Sequence, residues 1–117
     1  MSYDYSLFHA PGPGPMSTWE PVPPAPLGSA EELKARLLGV FPAAGFVQGP
    51  GTATWFGHAE PIEQGRGGGI EFQMTPEADG LVRFLTVRRI ARDEVAVLCR
   101  VLGLVAVDNQ TVELIRP

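Results

Sequence analysis

Residues 70–75, Ile70-Glu-Phe-Gln-Met-Thr75, alternate apolar and polar, and the chain that follows decides what they belong to. Ile70, Phe72 and Met74 fall on one side and Glu71, Gln73 and Thr75 on the other, the period of a half-buried strand. Pro76-Glu-Ala-Asp-Gly80 carries the Asp-Gly hairpin signal, and Leu81 to Val87 reads as the returning, paired strand. At Ala91 the period changes. Ala91, Val95, Leu98 and Leu102 share one face at helical spacing. Asp93 and Glu94 lie in the first turn and Arg100 near the end, as the helix dipole favours, and Gly103 is a natural stop. Leu104 to Val107 is a continuous apolar run, expected to be a central strand covered on both faces. Asp108-Asn-Gln-Thr111 turns the chain into a last strand, Val112 to Ile115, at a sheet edge.

Upstream, the same two periods recur. Tyr3 to His9 alternates, with Tyr3, Tyr5 and Leu7 on one side and Asp4, Ser6 and Phe8 on the other, which predicts a first strand. Residues 10–28 hold seven prolines and predict an extended connector, because proline has no N–H to give to a helix interior or a central strand. Trp19 is expected to anchor this connector on the domain. No basic residue flanks the prolines, so a ligand for another module is the weaker reading. Ser29-Ala-Glu-Glu32 fits a capping box, opening a helix whose apolar face is Leu33, Leu37, Val40 and Phe41, with Pro42 and Gly45 ending it and Phe46-Val47 expected as a short apolar tail. Thr52 to His58 predicts a second strand, broken before Pro61, and Gly65-Arg-Gly-Gly-Gly69 a flexible loop. The expectation is one α+β domain over residues 1–117. It is a two-layer sandwich of five to six strands, mixed or antiparallel, with two helices on one face.

Composition narrows the function. The chain has 117 residues and a net charge of −4, which makes it a poor general binder of nucleic acid or anionic membrane. Eight of its nine basic residues are Arg, and the Ala, Gly and Pro richness points to a GC-rich bacterial genome. The N-terminus shows neither a basic n-region nor an apolar h-region, so no signal peptide is expected. Val101 to Val107, the longest apolar stretch, is far short of the ~20 residues of a membrane span. A soluble cytoplasmic protein is the expectation. One cysteine excludes an intramolecular disulfide and a multi-cysteine zinc site.

Several constellations could carry chemistry. His58-Ala-Glu60-Pro61 matches the His-x-Glu half of the zinc nucleobase-deaminase signature, in which the histidine binds zinc and the glutamate moves protons. That chemistry needs a downstream Pro-Cys-x-x-Cys, and the chain offers only Cys99. His9, His58, Glu60 and Glu63 are a looser metal set, against which stands the reading of two strand-end histidines facing water. The Gly65–Gly69 loop could cradle a phosphate, but it lacks the Gly-Lys-Ser/Thr ending and precedes a strand. Cys99 falls late in its helix, where the dipole disfavours a thiolate. No metal site, cofactor or catalytic residue is assigned. Arg83, Arg88, Arg89 and Arg92 form one basic concentration, read as a solvated rim. Glu60, Glu63, Glu71, Glu77 and Asp79 form an acidic one, which on an uncovered sheet face could steer a basic partner.

The opening Met1-Ser-Tyr-Asp4 before an aromatic strand, with Leu102-Gly-Leu-Val105 and Asp108-Asn-Gln-Thr111 at the end, resembles small bacterial cytoplasmic proteins of immunity-protein type. The resemblance covers about 25 residues at the two ends and brings no catalytic residue. It implies a protein that neutralises a toxin by contact. The expected function is therefore non-catalytic protein binding. The expected partner contacts are Trp55 as aromatic anchor with Glu60, Glu63, Arg66, Glu71, Gln73 and Glu77. The alternatives are a small-molecule binder or enzyme with a pocket near His58 and the Gly65–Gly69 loop, and a homodimer paired through the final strand.

Overall fold

A computed structural model describes residues 4–20, 24–59 and 69–116. Nine strands and two helices follow one another in chain order. They are β1 (Asp4–Phe8), β2 (Gly28–Ser29), α1 (Ala30–Val40), β3 (Gly45–Gln48), β4 (Trp55–Ala59) and β5 (Ile70–Met74). Then come β6 (Leu81–Val82), β7 (Leu85–Arg88), α2 (Arg92–Leu102), β8 (Val105–Asp108) and β9 (Leu114–Ile115). Seven strands make one antiparallel sheet in the order β3-β4-β5-β7-β1-β8-β9, and β2 pairs with β6 in a separate ribbon.

The expected α+β architecture is present, with more strands than expected and an antiparallel sheet. Period-two alternation sends Tyr5, Leu7, Ile70, Phe72, Met74, Leu85 and Val87 to one face. There they form a single core with Leu33 and Leu37 of α1 and with Val95, Leu98 and Leu102 of α2. Both helices therefore cover the same face. A fully buried side chain of this size contributes roughly 1.5–3 kcal/mol, so this layer dominates stability. The two helices also meet directly, where Arg36 Nη2 donates to the Leu102 carbonyl at 2.7 Å.

Local signals set the helix boundaries. Ser29 Oγ accepts from the Glu32 N–H at 3.2 Å and Glu32 Oε1 accepts from the Ser29 N–H at 3.4 Å, closing the capping box at the start of α1. Gly103 ends α2 in the left-handed region at φ 69°.

Three expectations need correction. Leu81 to Val87 is not one strand. Leu81–Val82 leaves the main sheet to pair with Gly28–Ser29, and only Leu85–Arg88 returns beside β5. The diversion lets Val82 and Leu27 enter the core, with the Leu27 N–H donating to the Val82 carbonyl at 2.7 Å. Phe46 and Val47, expected as an apolar tail, belong to strand β3 at the sheet edge. β8 is an interior strand but not the central one, because only the two-residue β9 lies beyond it.

Trp19 does anchor the Pro-rich segment. A single 3₁₀ turn at Met16–Thr18 carries it onto the sheet, where its ring meets Phe8 edge-on at 6.0 Å.

Candidate functional site

The sheet face opposite the helices is the exposed, chemically mixed surface of the molecule. Alternation that buries Tyr5, Phe72 and Val87 necessarily turns Asp4, Glu71, Gln73, Thr86 and Arg88 the other way. Strand register then arranges them in rows. One row reads His58, Glu71, Arg88, Asp4 across β4, β5, β7 and β1. The next reads Val47, Phe56, Gln73, Thr86, Ser6, Val107. Beyond them Phe84 leans on Phe8 at 5.9 Å between ring centroids.

A shallow hollow of about 300 Å³ lies on this face among Phe56, His58, Glu71, Gln73, Thr86 and Arg88. A smaller one of about 140 Å³, bordered by Glu77, Arg83 and Phe84, shares Gln73 and Thr86 with it. The two make one continuous trough between the exposed rings of Phe56 and Phe84.

Charges on the face are interleaved. Arg88 Nη1 donates to Gln73 Oε1 at 3.1 Å, and its Nε lies 3.6 Å from Asp4 Oδ2. Arg83 Nε donates to Glu77 Oε2 at 2.8 Å, its Nη2 lies 3.6 Å from Asp79, and its Nη1 donates to the Pro24 carbonyl. Asp4, Glu71, Glu77 and Asp79 thus outnumber Arg83 and Arg88, and the described face keeps a net negative charge. Of the expected acidic concentration, Glu71, Glu77 and Asp79 fall among the described residues, and Arg88 is inserted between Asp4 and Glu71.

The expected contacts separate into three groups. Glu71 and Gln73 lie at the centre of the face, and Glu77 in the turn at its end. Trp55 does not share that face. It pairs with Met74 on the helix side, half-buried, with Lys34 Nζ 3.5 Å from its ring centre. Glu60, Glu63 and Arg66, with most of the Gly65–Gly69 loop, lie outside the described residues.

Phe56 and Phe84 belong to the face without having been singled out in the sequence, and Arg88, read there as part of a solvated rim, lies within it. The phase of β4 carried a usable signal. In Trp55-Phe-Gly-His-Ala59, the small Gly57 and Ala59 mark the side pressed against neighbours, which puts Phe56 and His58 outside.

The remaining chemical candidates are dispersed. His9 follows the far end of β1, and His58 lies three strands away in the opposite end row. Strand spacings put them on the order of 20 Å apart, so they cannot share a metal. Among the described residues no three of His, Cys, Asp and Glu are grouped to hold an ion. Cys99 is fully buried, and burial pushes its thiol up to about 11, so thiolate is scarce at neutral pH.

The arginines do not form one patch. Arg83 and Arg88 are paired on the sheet face, whereas Arg92 at the start of α2 binds Glu113 at 2.8 Å. The Glu113 carboxylate, chiefly through that hydrogen bond, raises the pKa of the Arg92 guanidinium. Among the described residues no helix is long and apolar enough to cross a membrane. Comparison of the chain with protein-family models, curated proteins and solved structures found no match.

Proposed function

We propose that this chain is a non-catalytic protein-binding domain that receives a protein partner on the helix-free face of its sheet. The observation that carries the reading is the trough bounded by Phe56, 38% exposed, and Phe84, 48% exposed, with hydrogen-bonding side chains between them. Exposed aromatic side chains are the residues a protein interface draws on most for affinity, and hydrogen-bonding side chains beside them fix register. The surplus of carboxylates on the face selects a partner with a basic docking patch. Within this class we favour an immunity-type inhibitor that covers a bacterial toxin's active site in the cytoplasm. The resemblance of the chain's two ends and the acidic pI near 5.0 support it.

The test is calorimetry with a purified partner, comparing the wild type with Phe56→Ala, Glu71→Arg and Val101→Ala. The two face variants are expected to weaken binding at least about tenfold, the range of an interface hot spot. Val101→Ala, on the helix layer, is expected to leave affinity unchanged. Equal affinity for all four proteins would overturn the docking face.

A second reading, a small polar ligand in the hollow, is favoured by the convergence of His58, Glu71, Gln73 and Arg88 there. At about 300 Å³ the hollow is at the low end of ligand pockets. A ligand that raises the melting temperature of wild type but not of His58→Ala would select this reading.

A further inference from the structure

We propose that β3 joins two copies of this chain edge to edge into one continuous sheet. Among the described residues β3 is a terminal strand of the main sheet, and its sequence is Gly45-Phe-Val-Gln48. Natural edge strands carry lysine, proline, a bulge or inward charges that block further pairing. β3 carries no charge and no proline. The opposite edge is built differently, because β9 has two residues and is flanked by Glu113 and Arg116.

The geometry of the pairing follows from the ladder. The Gly49 N–H donates to the Thr54 carbonyl at 2.9 Å, which points Gly49 toward β4. Antiparallel alternation then turns Val47 and Gly45 toward β4 as well, and leaves the N–H and C=O of Phe46 and Gln48 at the open edge. A two-fold axis through Val47 satisfies all four groups in each copy. Phe46 of one copy exchanges both hydrogen bonds with Gln48 of the other, twice over. Val47 meets Val47 as a non-hydrogen-bonded pair, the closer kind of cross-strand contact.

Self-pairing also uses what the outer face exposes. Val47 is 63% exposed and lies beside Phe56 by register. The two-fold axis fuses the two Val47–Phe56 pairs into one four-residue apolar strip, with no like charges opposed. A foreign strand would gain the hydrogen bonds without that strip. Because β9 offers no second long edge, the assembly closes at two copies rather than extending into a filament.

The experiment is sedimentation velocity on the full chain across a range of concentrations, with Val47→Lys, Val112→Lys and Val47→Cys. Wild type is expected at about 25 kDa, twice the 12.6 kDa chain mass. Val47→Lys places two ammonium groups face to face on the axis and is expected to raise the dimer dissociation constant about tenfold or more. Val112→Lys, exposed near the other edge, is expected to remain dimeric. Val47→Cys keeps the neutral strand and is expected to form a disulfide-linked dimer on mild oxidation, without help from the buried Cys99. A wild type that stays monomeric at every concentration, or a dimer that Val47→Lys does not weaken, overturns the proposal.

Discussion

Gly57→Ala tests whether β3 and β4 are locked together as the core geometry requires. Gly57 lies on the helix side of β4, paired with Phe46 on one flank and Phe72 on the other. A Cβ built there would sit 2.5 Å from Phe46 Cε1, 2.6 Å from Cδ1 and 3.2 Å from Phe72 Cδ2. Comfortable carbon contacts are about 3.5–4.0 Å, so the Phe46 ring must retreat by roughly 1 Å. That retreat disturbs its stacking on Phe72, now 6.3 Å between centroids at 28°.

Overpacking of this kind costs about 1–3 kcal/mol. Alanine returns about 0.5–1 kcal/mol, because glycine loses more backbone entropy on folding. The net expectation is a loss of about 1–2 kcal/mol, or roughly 4–10 °C in melting temperature for a domain of this size. Urea unfolding followed by tryptophan fluorescence measures it, since Trp55 is on the same strand. The diagnostic step is the double variant Gly57→Ala/Phe46→Ala. With the ring gone, the added methyl should become neutral or mildly stabilising. An equal penalty with and without the Phe46 ring would refute the clash, as would a Gly57→Ala protein as stable as wild type.

Other perturbations follow from single contacts. Ser29→Ala removes the side-chain half of the capping box and should cost about 1 kcal/mol by chemical denaturation, whereas Ser29→Asp should restore most of it. Val112 has φ 59°, a left-handed backbone that strains a β-branched side chain, so Val112→Asn should stabilise the fold by about 1 kcal/mol. Trp19→Ala removes the ring that covers Phe8, and residues 10–20 should become cleavable by a limiting protease that spares them in wild type. Burial pushes the Cys99 thiol up to about 11, against 9.0 for an exposed thiol. The folded state therefore holds the proton longer, and its contribution is intact below pH 9 and lost as pH rises toward 11. The drop should be about 2–3 kcal/mol across that window and absent in Cys99→Ala.

Elements whose information is local could be read from sequence. Ser29 and Glu32 announce their helix because both halves of the capping box lie within one turn. Gly103 announces the end of α2 for the same reason. Residues 70–74 read correctly because a face buried against helices forces strict alternation. What failed depends on distant partners. Leu81 and Val82 look continuous with Leu85–Arg88, and only the pairing of Val82 with Gly28, far away in the chain, splits them. Phe46 and Val47 look like a tail, because a four-residue edge strand needs β4 beside it before its alternation means anything.

The candidate site shows the same division at the level of single residues. Glu71 and Gln73 were legible because their strand's phase is unambiguous. Trp55 and Phe56 are adjacent large aromatics, and hydrophobicity alone cannot choose which points outward. Met74, Lys34 and the core make that choice by receiving Trp55. Arg88 was legible as a charge but not as a member of the acidic face, since only the register of β7 against both β1 and β5 inserts it between Asp4 and Glu71.

That insertion changes what the face can recognise. A purely acidic strip would attract any basic surface with little geometric preference. Arg88, held by Gln73 and Asp4, places a fixed donor among acceptors. A partner docked as proposed must accommodate that guanidinium, already held within the chain, and bring positive charge to Glu71 beside it, or leave a buried carboxylate unpaired. Under the proposed function, the alternation of sign would favour one partner over basic proteins in general, whereas the aromatic rings at either end of the trough would contribute affinity that any apolar contact could share.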